Sequence, residues 1–369
     1  MTKKKDGKRR RKASKAQATV APLGIKCRPG SGPHQQARRG YVKLLHGVGP
    51  TGLPRPNKNI RHKFVRPGKL ATAIKEGQLG IFCVQVQWPG CVVPDPPGQA
   101  DNIIHYDKEI FEQVDSGATS SVAVFGKPEG NEGSKRFLCF KASQRQREEV
   151  KTMWPDTRRL IPLAMKRKPD VLRGKQNGSR CTKYICFGHM KDPKGRKLQE
   201  YAFKPAPVGK RKKAGQEPNH ASDSSINEHF KDVSGNLERI SERFGKHLNE
   251  STAINKLREA VALPSFAKGS KATQFSAGLE YWSVAHTDND YYHTTLSCLS
   301  EKEEDHEKVL YYFLFPVYGV AVPMRSGDIL LFNPSELHCC SNPSTRGALI
   351  FSSYVSMKTC NTQVASSLK

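Results

Sequence analysis

From residue 275 to 357 the chain reads as six short apolar runs in succession: LEYWSVAH, YYHTTLSCL, VLYYFLF, GVAVPM, GDILLF and GALIFSSYVSM. β-Branched and aromatic residues dominate them and turn formers such as DND, SGD and SNPST separate them, which is the pattern of strands. Strands that follow one another without an intervening helix bury their apolar faces mainly on each other, so a barrel or jelly roll is expected. The longest apolar stretch, VLYYFLFPVYGVAVPM at 309–324, is shorter than a bilayer requires and is broken by Pro316 and Gly319. It reads as two buried strands, and no membrane partner is expected.

Ahead of these strands lies the clearest helical period in the chain. Ile226, Phe230, Val233, Leu237, Ile240, Phe244 and Leu248 recur at three- and four-residue steps, giving one apolar face suited to lie on a sheet, with Ser224 or Ser225 available as N-cap. Gly235 and Gly245 are weak points where the helix could break. Ile254, Leu257 and Val261 predict a second helix that Pro264 ends. Further upstream, GIFCVQVQW (80–88), SSVAVFG (120–126), RFLCFKA (136–142) and KYICFGHM (183–190) read as strands, with QRQREEVKTMW as a short helix between them. The expected class is α+β. Its parts are a basic arm over 1–70, a β-rich region over 71–204, a linker or loop over 205–225, and a strand-built domain with packing helices over 226–360.

Charge separates these parts. Residues 1–70 hold 20 Lys+Arg against one Asp, 71–217 hold 27 against 16, and 218–369 hold 14 against 17, so the net charges are +19, +11 and −3. A dense cationic arm releases counterions from a polyanion, which points to nucleic acid as partner, and a solvated disordered tail is the plainer alternative. KKKDGKRRRK near the start and GKRKK at 209–213 resemble nuclear import signals, so an intracellular, nuclear location is expected. No apolar stretch opens the chain, and ten cysteines without a CxxC pair suit reduced thiols. GVGPTG at 47–52 matches a phosphate-binding glycine pattern, but the prolines of LPRPNKN behind it forbid the helix that pattern needs. Cys181, Cys186 and His189 offer three zinc ligands without an evident fourth, and buried strand residues are the better reading.

Chemistry gathers in AHTDNDYYHTTL, 285–296. If this segment is a strand, His286 and Asp288 point to the same side and can meet one metal ion. His338, in GDILLFNPSELHCC, supplies a third ligand from just past a later strand. Two imidazoles and one carboxylate on one face of a metal leave positions open for a cosubstrate and dioxygen, which suits non-haem Fe(II). Arg346 follows at the head of the last long strand, where its guanidinium can grip a carboxylate through two hydrogen bonds. His293 reads as a core or supporting residue, and Cys339 and Cys340 as packing residues on alternating faces.

The order HTD, SGDILLF, His338 and then Arg346 leading into GALIFSSYV resembles the Fe(II)/2-oxoglutarate-dependent dioxygenases, nearest in style to the prolyl-hydroxylase-like and nucleic-acid-modifying members. The resemblance covers about 270–360. It implies a double-stranded β-helix, iron held by His286, Asp288 and His338, and Arg346 paired with the distal carboxylate of 2-oxoglutarate. Tyr281, Thr294 and Tyr292 are all candidates for a further hydroxyl on that cosubstrate. Oxidative decarboxylation would yield succinate and carbon dioxide while the substrate is hydroxylated. A nucleic acid base or nucleic-acid-associated substrate is expected from the charge. A protein side-chain hydroxylase of the prolyl type, a non-catalytic nucleic-acid-binding protein on the same barrel and a zinc hydrolase with the same ligands are the alternatives.

Overall fold

The structure, a computed structural model, describes residues 63–65, 80–87, 104, 106–127, 136–164, 183–191, 198–200, 221–245, 263–268, 270–288, 290–356 and 359–363. The strands of the upstream region are β1 (Lys63–Val65), β2 (Gly80–Gln87), β3 (Glu112–Gln113), β4 (Ser120–Lys127), β5 (Arg136–Lys141), β6 (Lys183–Lys191) and β7 (Leu198–Glu200). Those of the C-terminal third are β8 (Gln274–Leu279), β9 (Asp290–Ser300), β10 (Val309–Phe315), β11 (Val320–Arg325), β12 (Ile329–Phe332), β13 (Cys339–Cys340) and β14 (Ala348–Ser356). The helices α1 (Gln144–Lys151), α2 (Trp154–Ala164) and α3 (Ala221–Gly245) accompany them among the described residues.

The strands form two sheets. Ten run in the order β1-β2-β4-β5-β12-β9-β14-β8-β6-β7, and four in the order β13-β10-β11-β3. Inward-facing Leu296 and Cys298 of β9, Leu330 of β12 and Ile350 of β14 share one core with Leu310, Phe313, Val322 and Met324 of the small sheet, so the sheets pack face to face. Alternation puts the neighbouring residues Leu299, Leu349 and Phe351 on the opposite face of the large sheet. There α3 lies, with Ile226, Phe230, Val233, Leu237 and Ile240 all 0–2 % exposed. Phe230 meets Phe187 at 4.9 Å and Phe275 at 5.9 Å, and Trp154 of α2 stacks on Phe351. The buried carboxylate of Glu238 on α3 accepts the hydroxyl of Ser353 at 2.5 Å and the N–H groups of Lys271 and Ala272. Ser234 meets Ser353 at 2.8 Å and Ser241 accepts from Thr295 at 3.0 Å, so a row of polar contacts joins helix and sheet within an apolar seam.

The fold class is α+β, with two facing sheets and helices on the outer face, in broad accord with a double-stranded β-helix. The expected closure is absent: among the described residues the sheets do not join into a barrel. The reason lies in the hydrogen-bond edges. β12 has its outer edge taken by β5 of the upstream region, and β8 has its outer edge taken by β6, so the large sheet grows sideways and does not curl onto its partner. The upstream strands therefore flank the C-terminal ones on both sides.

Most of the expected elements form. QRQREEVK becomes α1, started by a capping box in which Ser143 and Gln146 satisfy each other's backbone N–H. VLYYFLFPVYGVAVPM becomes β10 and β11, separated by a 3-10 turn over Pro316–Tyr318 and by Gly319 at φ 59°. α3 begins at Ala221, so Ser224 and Ser225 lie inside it and do not cap it, and Gly235 leaves it unbroken because the apolar face is held by the sheet. The strand expected at LEYWSVAH is the clear miss. After Leu279 the chain turns at Glu280, whose φ is 52°, and residues 281–288 form no continuous strand. The side chains of Phe244 and Leu248, the predicted second helix over 254–261, GVGPTG and the basic arm before Lys63 lie outside the described residues. Lys63–Val65, near the end of that arm, runs parallel to β2.

Candidate metal centre

The segment 281–288 owes its shape to the loop behind β12. His286 and His338 exchange both backbone hydrogen bonds at 2.9 Å, forming a single antiparallel bridge. Below it the N–H of Ser283 donates to the carbonyl of Cys340, whose own N–H donates to the Ser283 hydroxyl. Above it the N–H of Asp288 donates to the carbonyl of Pro334 at 2.8 Å. Two segments far apart in sequence are thereby laid side by side. His286, Asp288 and His338 consequently present donor atoms that all lie within 4.8 Å of one another. An Asp288 oxygen stands 3.6 Å from Nε2 of His286, and the other stands 3.4 Å from Nε2 of His338.

Each imidazole is held in one tautomer. Nδ1 of His286 lies 2.8 Å from the carbonyl of Val284, and Nδ1 of His338 lies 2.8 Å from the carbonyl of Glu336. A carbonyl can only accept, so each Nδ1 carries a proton and Nε2 is the nitrogen turned to the common centre. Phe313 stacks on the His338 ring at 5.3 Å and Phe332 tilts against it at 4.8 Å, packing that ring into the inter-sheet core. Burial, reinforced by the charge of His338, pushes the His286 imidazole below its ordinary range and favours the neutral form that a metal needs. Burial alone would raise Asp288, but the hydrogen bond and charge of His338, with the charge of His286, outweigh it and hold the carboxyl low.

The donor set fits a divalent ion. Ligand bonds of about 2.1 Å at right angles would place donors roughly 3 Å apart, so small side-chain shifts close the site on a metal. One carboxylate and two neutral imidazoles on one side are the facial arrangement of non-haem Fe(II) centres. Exposure is graded across them: the side chains of His338, His286 and Asp288 are 3 %, 18 % and 40 % exposed. Asp288 is thus the side of the site most open to solvent.

The other candidates divide. Thr294 is buried on the inward face of β9, and its hydroxyl donates to Asp290 at 3.3 Å. Tyr281 is half-buried against the inter-sheet core and tilts on Tyr184 at 6.0 Å. The side chain of Tyr292 lies outside the described residues. Arg346 is exposed in the turn ahead of β14, with no hydrogen-bond or ion-pair partner among the described residues. Its neighbour Ala348 pairs with Ser300, whereas Asp290, next to the triad, pairs with Ser356 at the other end of the strand. His293 packs edge-on against Phe137 at 4.6 Å. Cys339 and Cys340 face opposite sides of the small sheet, and burial pushes the Cys339 thiol up to about 12 and that of Cys340 higher still, so neither is a thiolate ligand at neutral pH. Cys186 is buried on β6, and Cys181 lies outside the described residues.

Three supporting residues escaped sequence reasoning. Glu336, buried two residues before His338, accepts the Tyr318 hydroxyl at 3.2 Å and pairs with Arg136 at 3.5 Å. Nothing in the local sequence links positions so far apart.

No family model and no curated protein matches the chain. Solved structures do. NgTET1 in complex with 5mC DNA aligns over 87 % of this chain and 91 % of its own, at 12 % identity and a TM-score of 0.34. JOX2 in complex with 2OG, Fe and JA aligns over 86 % and 82 %, at 10 % identity and 0.30. The viral collagen prolyl hydroxylase vCPH from Paramecium Bursaria Chlorella virus-1, in its 2OG complex, aligns over 28 % and 72 %, at 16 % identity and 0.17. The chemistry assigned to the site therefore stands on its own geometry: a His/Asp/His facial triad set between two packed sheets.

Proposed function

We propose that the chain is an Fe(II)- and 2-oxoglutarate-dependent oxygenase that acts on a nucleic acid base or a nucleic-acid-associated substrate. The observation that carries this reading is the convergence of His286, Asp288 and His338 into one facial set, most open to solvent at Asp288. Ferrous iron held there would couple decarboxylation of the keto acid to oxidation of the substrate, one oxygen atom of dioxygen going to succinate and the other to the product. With Nδ1 of each imidazole spent on the carbonyls of Val284 and Glu336, Nε2 is the nitrogen each ring offers to the metal. Arg346 is assigned the distal carboxylate of 2-oxoglutarate. Its guanidinium is unspent among the described residues, so gripping an anion breaks no existing ion pair. Thr294 and Tyr281 are the hydroxyls assigned to the same cosubstrate.

The substrate class rests on charge. A net +19 over residues 1–70 would concentrate polyanions near a site whose own third of the chain is slightly acidic. The basic runs KKKDGKRRRK near the start and GKRKK at 209–213 fit nuclear import. The test supplies Fe(II), dioxygen and 2-oxoglutarate with oligonucleotide and peptide pools, following succinate and a one-oxygen mass increment. Succinate formation with modified oligonucleotide supports the reading; turnover on peptides alone moves the substrate to protein. No turnover together with no metal-dependent binding of 2-oxoglutarate defeats it. Arg346→Ala should weaken 2-oxoglutarate binding while leaving metal binding intact.

A further inference from the structure

The loop that carries His338 is fastened to the upstream half of the chain, not only to its own strands. The N–H of Asn333 donates to the carbonyl of Leu138 at 2.8 Å and its side-chain amide donates to the carbonyl of Phe137 at 3.2 Å. Its Oδ1 accepts both the N–H and the hydroxyl of Ser335. Three residues on, Glu336 is 8 % exposed and its carboxylate is held at both oxygens, by the Tyr318 hydroxyl at 3.2 Å and by Arg136 at 3.5 Å. The Tyr318 ring lies on Gly126 of β4, where an added Cβ would come within 2.6 Å of ring carbon Cζ. The same Glu336 receives the Nδ1 proton of His338 on its main-chain carbonyl.

We infer that Glu336 is a positioning residue for the metal centre: clamped by Tyr318 and, more weakly, by Arg136, it holds the carbonyl that orients the His338 imidazole and so aims its Nε2 at the metal. The inference rests on the metal-binding reading above. A buried carboxylate is costly unless its partners are fixed, and here both oxygens are matched by groups from other segments. Groups that hold the second nitrogen of a metal-bound histidine set ring orientation, and their loss typically costs about 10–100-fold in metal affinity. On this view β4 and β5 belong to the metal site, since Gly126 seats the tyrosine and Arg136 supplies the countercharge. The upstream region thereby acquires a role that charge alone does not give it.

The test is a Co(II) titration of the purified full chain, read by visible absorption, beside the thermal melting of the metal-free protein. Tyr318→Phe, which keeps the ring on Gly126 and removes only the hydroxyl, and Glu336→Ala are expected to bind Co(II) about 10–100-fold more weakly with altered absorption bands. Glu336→Gln, whose amide oxygen still accepts from Tyr318, should recover most of the affinity. Tyr318→Phe, which strips one partner from a buried carboxylate, is expected to fold with a modestly lower midpoint, and it decides the matter if Glu336→Ala does not fold. Wild-type affinity and spectrum in either Tyr318→Phe or a folded Glu336→Ala overturn the inference, provided His338→Ala abolishes the signal. If the wild type itself binds no Co(II), the metal reading fails first and the inference falls with it.

Discussion

Replacing Lys141 by methionine should cost the fold about 3–5 kcal/mol at neutral pH, the usual penalty for removing one partner of a buried ion pair. Lys141 is 1 % exposed on β5, yet its ammonium lies 2.5 Å from Asp115, 2.9 Å from Asp328 and donates to the carbonyl of Pro323. Methionine fills the aliphatic volume but strands the acceptors. Asp115 keeps Arg325 at 2.7 Å, so the burden falls on the 3 %-exposed Asp328, left with the Arg325 N–H at 2.9 Å and Arg147 at 3.8 Å. At roughly 2–4 °C per kcal/mol for a domain of this size, the midpoint should drop by roughly 6–20 °C. The pH dependence is a second signature. Burial would raise Asp115, but Lys141 and then Arg325 outweigh it and hold its carboxyl below the ordinary 3.8. A depressed folded value contributes stability above the unfolded value and loses it as pH falls through the folded one. The gap between wild type and Lys141→Met, measured by urea unfolding, should therefore be full at neutral pH and narrow below about pH 4. A neutral-pH loss under about 1 kcal/mol, or a gap that ignores acid, would refute the assignment of Lys141 as a paired buried cation.

Gly126→Ala should cost about 1–3 kcal/mol by pushing the Tyr318 ring off β4, visible as lower stability together with a changed near-ultraviolet dichroism. Phe230→Ala, at the centre of the aromatic seam between α3 and the sheet, should lose about 3–5 kcal/mol in denaturant unfolding; a loss below about 1 kcal/mol would place α3 elsewhere. A divalent metal at a hundred times its dissociation constant should stabilise the wild type by about 2.7 kcal/mol, read as a higher midpoint that chelator reverses. His286→Ala should show no such rise.

Strands and triad were legible because both have short-range signatures. Short apolar runs in SSVAVFG and RFLCFKA, bounded by turn formers, name β4 and β5 within a residue or two, and the HTD spacing with a later histidine is a recognisable ligand set. What was not legible is long-range. YWSVAH has the aromatic and β-branched content of a strand, but its conformation follows from its bonds to residues 334–340, which no local pattern encodes. Lys141 reads as a surface residue at the end of a strand, since the carboxylates that permit its burial come from residues 115 and 328. Open sheets in place of a barrel have the same origin, because the pairing of β5 with β12 joins residues nearly two hundred positions apart.

The mutual main-chain bridge of His286 and His338 makes the two nitrogen donors a single mechanical part. Neither backbone can move away from the other without breaking those two bonds. Asp288 hangs from that part by one link to Pro334 and is the least covered of the three. A metal held there would therefore have its most accessible ligand in Asp288 and its most enclosed ones in the paired imidazoles.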